Sequence, residues 1–357
     1  MKIFNCSHCG RVTFFENVQC EGCLKPLGFV PEHQQMWAFD VQADQRWLPV
    51  GGNLTEDYAP CQNYRQNQVC NWMVAAGDGQ PLCRSCRYTE MIPSLSAPAH
   101  IHLWFLLESA KRRLIYALTE LGLPLPDRAA DPERGLVFHF LAETPDEPAL
   151  TGHDSGLITI NVDEADDATR EARRAQMHEP YRTLLGHFRH EIGHFYWTHL
   201  VEQTNWLMPF RAVFGDETEE YSQAMDRYYA QGAPADWPKS FISEYATMHP
   251  WEDWAETWAH YLHIVDALDT AHHWGVHLGG RNRSVAARSV QAEPVSDAVF
   301  RHVLVRDWLP LSQFLNSMNR SLGQKDSYPF VLPDAVINKL ALIHQVVHAK
   351  PLIVASH

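Results

Sequence analysis

Beyond residue 86 this chain has no cysteine: all eight lie between Cys6 and Cys86, and the 271 residues that follow (87–357) hold none. A disulfide framework for the whole protein is thereby excluded, and the segregation marks a separate amino-terminal domain. Positive charge is also scarce. Twenty-nine Lys and Arg stand against 43 Asp and Glu, a formal charge of −14, which disfavours non-specific attraction to phosphate backbones and anionic lipid. No run of about 20 apolar residues is present to span a bilayer. The most apolar helical stretch, 101–121, carries Glu108, Lys111, Arg112, Arg113 and Glu120. The first residues lack the apolar segment and small-residue cleavage site of an export signal, so the expected location is the cytoplasm. Low-complexity tracts and internal repeats are missing too. What remains is an ordinary globular composition, 45% hydrophobic and 20% charged, in 357 residues, enough for two domains.

In a reducing compartment, paired cysteines point to metal rather than to disulfides. Cys6 and Cys9, then Cys20 and Cys23, form two C-x-x-C knuckles ten residues apart, the spacing by which two tight turns bring four thiolates onto one tetrahedral zinc. Val12, Phe14 and Phe15 alternate between them like a short hairpin strand, which is the pattern of a zinc ribbon. Cys61, Cys70, Cys83 and Cys86 make a second set of four with one looser half. His8 and His33 are candidate substitutes for a thiolate, but two complete sets leave them no vacancy. Nucleic-acid binding finds no support: residues 1–90 hold seven basic against nine acidic side chains, and each four-thiolate zinc site adds a net −2. Residues 1–95 therefore read as a structural or protein-recognition region with two structural zincs. Trp37 and Trp72 serve it either as core or as exposed binding residues.

Helical periodicity is expected over 101–121, 179–201, 218–230 and 251–268, and again, broken by Pro310, Pro329 and Pro333, over 296–347. Two short β-rich segments, 136–141 (LVFHFL) and 156–162 (GLITINV), precede the second helix. The segment 271–295 reads as a loop. The fold class is α+β, with the zinc-ribbon region followed by a mainly helical domain, 96–357, that carries a small sheet.

Within the 179–201 helix stand His190, Glu191 and His194, an H-E-x-x-H arrangement. A helix turns about every 3.6 residues, so the two imidazoles project from one face and can hold a single zinc, with Glu191 beside the open coordination position. Two histidines do not finish such a site. A later helix supplies Glu252 and Glu256, which share a face and provide a third ligand and a carboxylate to orient an imidazole. Seven residues before Glu252 stands Tyr245, whose phenol could donate to an oxyanion.

The order and spacing resemble the gluzincin metallopeptidases, and the Tyr-x6-Glu-x3-Glu arrangement is similar to that of anthrax toxin lethal factor. The whole chain, from its Cys-rich start through the KRRLIYALTELGLPLP helix to the HExxH half, resembles a bacterial family in which a zinc ribbon is joined to a zinc-binding metallopeptidase domain. That resemblance implies a zincin-like fold with His190, His194 and Glu252 as ligands of one catalytic zinc. It makes Glu191 the general base, Glu256 the orienting acid and Tyr245 the transition-state donor. It also implies an edge strand, GLITINV, that pairs with an extended peptide or protein substrate. The chain departs from thermolysin-like enzymes, which have Asn before the ligand Glu and Asp four residues after it, where Trp251 and Glu256 stand here. Gly193 is expected to allow a close approach of helix and sheet. The ribbon would recruit substrate or a protein partner. The other reading is a non-catalytic, zinc-stabilised binding module. A purely structural metal site has no use for a base at Glu191, so that residue favours the enzyme.

Overall fold

The computed structural model describes residues 2–43, 46–143, 149–176, 182–280, 283–286 and 297–349. Contacts divide the chain into two compact units: Lys2–Thr119 with Pro124–Arg173, and Glu120–Leu123 with the chain from Arg174 onward. The fold class is α+β, with cysteine clusters first and mostly helix thereafter.

The first unit opens with a two-stranded ribbon, β1 (Phe4–Asn5) against β2 (Val12–Thr13). There follows an antiparallel sheet of five strands in chain order: β3 (Leu27–Val30), β4 (Gln35–Val41), β5 (Trp47–Val50), β6 (Tyr58–Pro60) and β7 (Met73–Ala75), with the short α1 (Gln62–Asn67) before the last. Phe4, Phe15, Phe29, Trp72 and Tyr116 form its aromatic core, with Phe29 and Trp72 rings 4.8 Å apart. Trp72 is thus core, and Trp37 packs half-buried beside Phe39 and Met73. After β8 (Thr89–Met91) comes α2 (Pro98–Glu120), whose Trp104, Leu107, Leu114, Ile115 and Leu118 repeat at helical spacing and are buried.

The two β-rich segments become β9 (Val137–Leu141) and β11 (Leu157–Asn161), with β10 (Gly152–Asp154) between them in sequence. Ser155 and Gly156, both at positive φ, make the two-residue turn joining β10 to β11. A Cβ at Gly156 would also lie 2.2 Å from the Arg134 carbonyl oxygen, so only glycine fits. The sheet order is β10-β11-β9-β8. This corrects the edge-strand expectation: GLITINV is paired on both sides, antiparallel to β10 and parallel to β9, and cannot receive a further strand. Helix α3 (Asp167–Gln176) follows.

The second unit is built on α4 (Leu184–Leu200), α5 (Leu207–Phe214), α6 (Tyr221–Gln231) and α7 (Pro250–His273), then the hairpin β12 (His277–Gly280) and β13 (Arg283–Ala286), and α8 (Asp297–Val303), α9 (Leu309–Ser321) and α10 (Asp334–His348). The expected loop from 271 is in part helix and hairpin; residues 281–282 and 287–295 of it lie outside the described residues. Pro310 does not break its helix. It sits in the first turn of α9, where the missing N–H is tolerated, and a π-helical turn over Leu304–Trp308 joins α8 to α9. Pro329 and Pro333 do stand in the gap before α10. Among the described residues no helix is long and apolar enough to cross a membrane.

Candidate metal centre

Local sequence positions both helices of the site. Thr183 caps α4, its hydroxyl accepting from the Gly186 N–H at 3.0 Å. His249 caps α7 with Nδ1 accepting from the Trp251 N–H at 3.1 Å, and Pro250 starts the first turn. The helices then pack closely at Gly193. A Cβ there would lie 3.0 Å from the Ala255 Cα and 3.1 Å from the Trp258 Cβ, and the Trp254 indole N–H donates to the Gly193 carbonyl at 2.9 Å. Gly193 therefore permits helix against helix, not the helix against sheet expected from the sequence.

That contact turns His190 and His194 of α4 towards Glu252 of α7. The two Nε2 atoms are 3.2 Å apart, His190 Nε2 is 3.0 Å from Glu252 Oε2, and His194 Nε2 is 3.5 Å from Glu252 Oε1. Ligand bonds of about 2.0–2.1 Å to a tetrahedral zinc imply donor separations of about 3.3–3.4 Å; the two imidazoles meet this spacing, and each has one Glu252 oxygen at a similar distance, so the residues fit zinc in chemistry and come close to it in spacing. Glu256 Oε1 takes the hydrogen bond of His190 Nδ1 at 2.8 Å, which leaves Nε2 facing the centre. Glu256 Oε2 in turn accepts from the Ser243 hydroxyl at 2.6 Å. The Trp251 ring covers His194 at 4.0 Å between centroids, and the Tyr245 ring lies 6.0 Å from that of His190. Glu191, 8% exposed, is the residue between His190 and Ile192 on the buried stretch of α4.

The electrostatics follow from burying two imidazoles among three carboxylates. Burial opposes a charged His190, but its bonds to Glu252 and Glu256 prevail and raise its pKa well above the ordinary value in the metal-free chain. Burial would raise Glu252, yet His194 and His190 hold it well below the carboxylate range. Glu256, likewise against burial, is held down to about 2, by His190 above all. Glu191 moves the other way: burial raises it, and the nearby histidines only partly compensate. Tyr245 is raised by burial first and by Glu252 next, so its hydroxyl keeps its proton at neutral pH.

The cysteines form two further clusters. Cys6 and Cys23 sulfurs are 3.7 Å apart, Cys9 and Cys20 3.6 Å, and Cys70 and Cys83 3.7 Å. These are far beyond a disulfide bond and close to the edge of about 3.8 Å expected for thiolates around zinc at about 2.3 Å. The first cluster lies at the surface, with Cys9 exposed; the second is wholly buried. Burial pushes the Cys83 thiol far up, a cost that the protein meets with amide donors and cations. The Cys83 N–H reaches Cys61 Sγ at 3.3 Å, and the Trp72 N–H reaches Cys70 Sγ at 3.4 Å. Arg112, 2% exposed, donates to the Val69 carbonyl at 2.7 Å, and Coulombic attraction to Cys70, Glu108 and Cys86 offsets the burial that disfavours its charge. Lys111 pairs with Glu108 at 2.9 Å with both side chains buried.

All fourteen residues singled out in the sequence thus occupy three places: two four-cysteine clusters and one centre of His190, His194 and Glu252 with Glu191, Glu256 and Tyr245 around it. His8, His33 and the His-rich stretch at 272–277 join no metal-ligating cluster among the described residues. Ser243 and Tyr221 escaped sequence reasoning. Tyr221 donates to Glu252 Oε1 at 2.8 Å across 31 positions, a separation that carries no periodic signal.

A family model described as "Putative zinc-binding metallo-peptidase" matches residues 100–346, and one described as "zinc-ribbon domain" matches residues 3–97. The chain is 43% identical over 348 residues to proteins named as uncharacterized from Mycobacterium tuberculosis and Mycobacterium bovis, with 97% of this chain and 95% of each relative covered. No solved structure matches.

Proposed function

This chain belongs to the family described as "Putative zinc-binding metallo-peptidase", with a zinc-ribbon domain ahead of that region, and from that premise we propose that it hydrolyses peptide bonds of a peptide or protein substrate. The convergence of His190, His194 and Glu252, one ligand atom of each within 4.8 Å of the others and the two Nε2 atoms 3.2 Å apart, carries this reading. In it residues 96–357 form the peptidase domain and 1–95 the ribbon region, with one zinc at the centre and one in each cysteine cluster.

His190, His194 and Glu252 would hold the zinc, which when bound would supply an acidified water and a Lewis acid for the scissile carbonyl. Glu191 removes the proton of the attacking water. It would then pass that proton to the leaving amine. Tyr245, kept protonated by burial, donates to the oxyanion of the tetrahedral intermediate. Glu256 and Ser243 hold the tautomer and ring plane of His190. The ribbon region binds substrate or a protein partner, and the enzyme works in the cytoplasm.

Glu191→Gln tests the proposal. The variant is expected to keep its zinc and lose at least about 10²–10⁴-fold in hydrolysis of a peptide library. Cleavage at the parent's rate would overturn the mechanism. Absence of cleavage by the parent with zinc bound would leave a zinc-stabilised binding module.

A further inference from the structure

We propose that Tyr221 is a positioning residue for the metal-ligating carboxylate. It sets the orientation of Glu252 so that this residue binds metal through one oxygen and leaves the remaining position open. The inference rests on the metal-site reading above and adds to it a residue from outside both ligand helices. Tyr221 opens α6, and its hydroxyl donates to Glu252 Oε1 at 2.8 Å, while Oε2 lies 3.0 Å from His190 Nε2. Each carboxylate oxygen faces one imidazole, Oε2 that of His190 and Oε1 that of His194 at 3.5 Å, but only Oε1 also accepts from the phenol, which leaves Oε2 the freer donor. Glu252 is 2% exposed, and Tyr221, 36% exposed, stands on its solvent side.

The phenol is itself held in place. The Tyr221 ring packs edge-on against His249 at 5.3 Å, and His249 Nε2 donates to the Glu219 carbonyl at 3.1 Å while Nδ1 caps α7. One imidazole thus ties the chain entering α6 to the first turn of α7, three residues before Glu252. A three-ligand site with an open fourth position needs this kind of restraint. A carboxylate free to bind through both oxygens would take the place of water.

The test uses the full chain with both cysteine clusters loaded, titrated with Zn²⁺ against a chelator and separately with Co²⁺. Tyr221→Phe keeps the ring and removes only the donor. We expect third-site affinity to fall about 10–100-fold, as for other groups that orient a metal ligand. The visible Co²⁺ absorption should also weaken, because added carboxylate coordination moves the ion away from four-coordinate geometry. Affinity within twofold of the parent and an identical Co²⁺ spectrum would overturn the role of Tyr221 while His190→Ala still abolished binding. Equal third-site binding by the parent and His190→Ala would instead overturn the metal-site reading, and this proposal with it.

Discussion

Gly193→Ala should damage the metal centre without touching a ligand. An added Cβ would meet the Ala255 Cα at 3.0 Å and the Trp258 Cβ and Cδ1 at 3.1 and 3.3 Å, where carbon pairs prefer about 3.5–4.0 Å. None of these atoms can swing aside. The first is backbone, and Trp258 is fully buried, stacked on Tyr196 at 5.0 Å and packed against Trp254 at 5.6 Å. Helices α4 and α7 must therefore separate by about 0.5 Å, an overpacking cost of about 1–3 kcal/mol. Exchanging a helical Gly for Ala returns about 1 kcal/mol, so the net loss of stability is small, of the order of 1 kcal/mol. The site fares worse, because His190 and His194 travel with one helix and Glu252 with the other. Donors now 3.0–3.5 Å apart are spread, and zinc affinity of the third site should fall about tenfold or more. Chelator competition on protein with loaded cysteine clusters, alongside thermal melts, reads both effects. Parent-like affinity and stability would refute the claim that the helix spacing at Gly193 builds the centre.

Three further outcomes are expected. Arg112→Met leaves the buried second cysteine cluster without its guanidinium and the Val69 carbonyl without its donor; it should cost about 3–5 kcal/mol in chemical unfolding, and an unchanged midpoint would deny the charge compensation. Zinc binding to the third site should expel a proton at pH 7, since His190 is raised well above its ordinary value in the metal-free chain. Affinity should weaken as pH falls, and calorimetry in buffers of different ionisation enthalpy measures the release. His260 is lowered to about 4 by burial, against an opposing pull from Glu256. The unfolded chain then takes up its proton first, near pH 6.5, and stability should decline as pH drops from 6.5 towards 4, by up to about 3 kcal/mol from this group. Urea midpoints of the metal-free chain at pH 7 and 4.5 check the sign, and His260→Gln should flatten the difference.

Much of the site was legible because its parts are local. The C-x-x-C knuckles, the one-turn spacing of His190 and His194, and that of Glu252 and Glu256 are properties of turns and of single helices, readable without a fold. Tyr245 stands out by its place seven residues before Glu252 and by resemblance, and the structure sets its ring beside His190. Elsewhere the periodicity named a segment and missed its neighbours. GLITINV was rightly a strand, yet its place between β10 and β9 depends on hydrogen bonds to chains up to twenty residues away. The Gly-Gly and Arg-rich composition after residue 271 reads as a loop, although α7 continues to His273, whose Nδ1 lies 2.8 Å from the Asp269 carbonyl.

By itself, then, the sequence determined which atoms can bind metal and on which local scaffolds they stand, since ligand spacing within a turn or helix follows from backbone geometry alone. Only the tertiary structure decided how the helices meet, through the missing Cβ of Gly193. It also decided which side chains steady the ligands: Ser243 for Glu256, Tyr221 for Glu252, and Arg112 beside the buried cysteines. Those partners are separated in the chain by 13, 31 and up to 42 positions, and nothing shorter than the packed fold brings them within hydrogen-bonding or Coulombic reach.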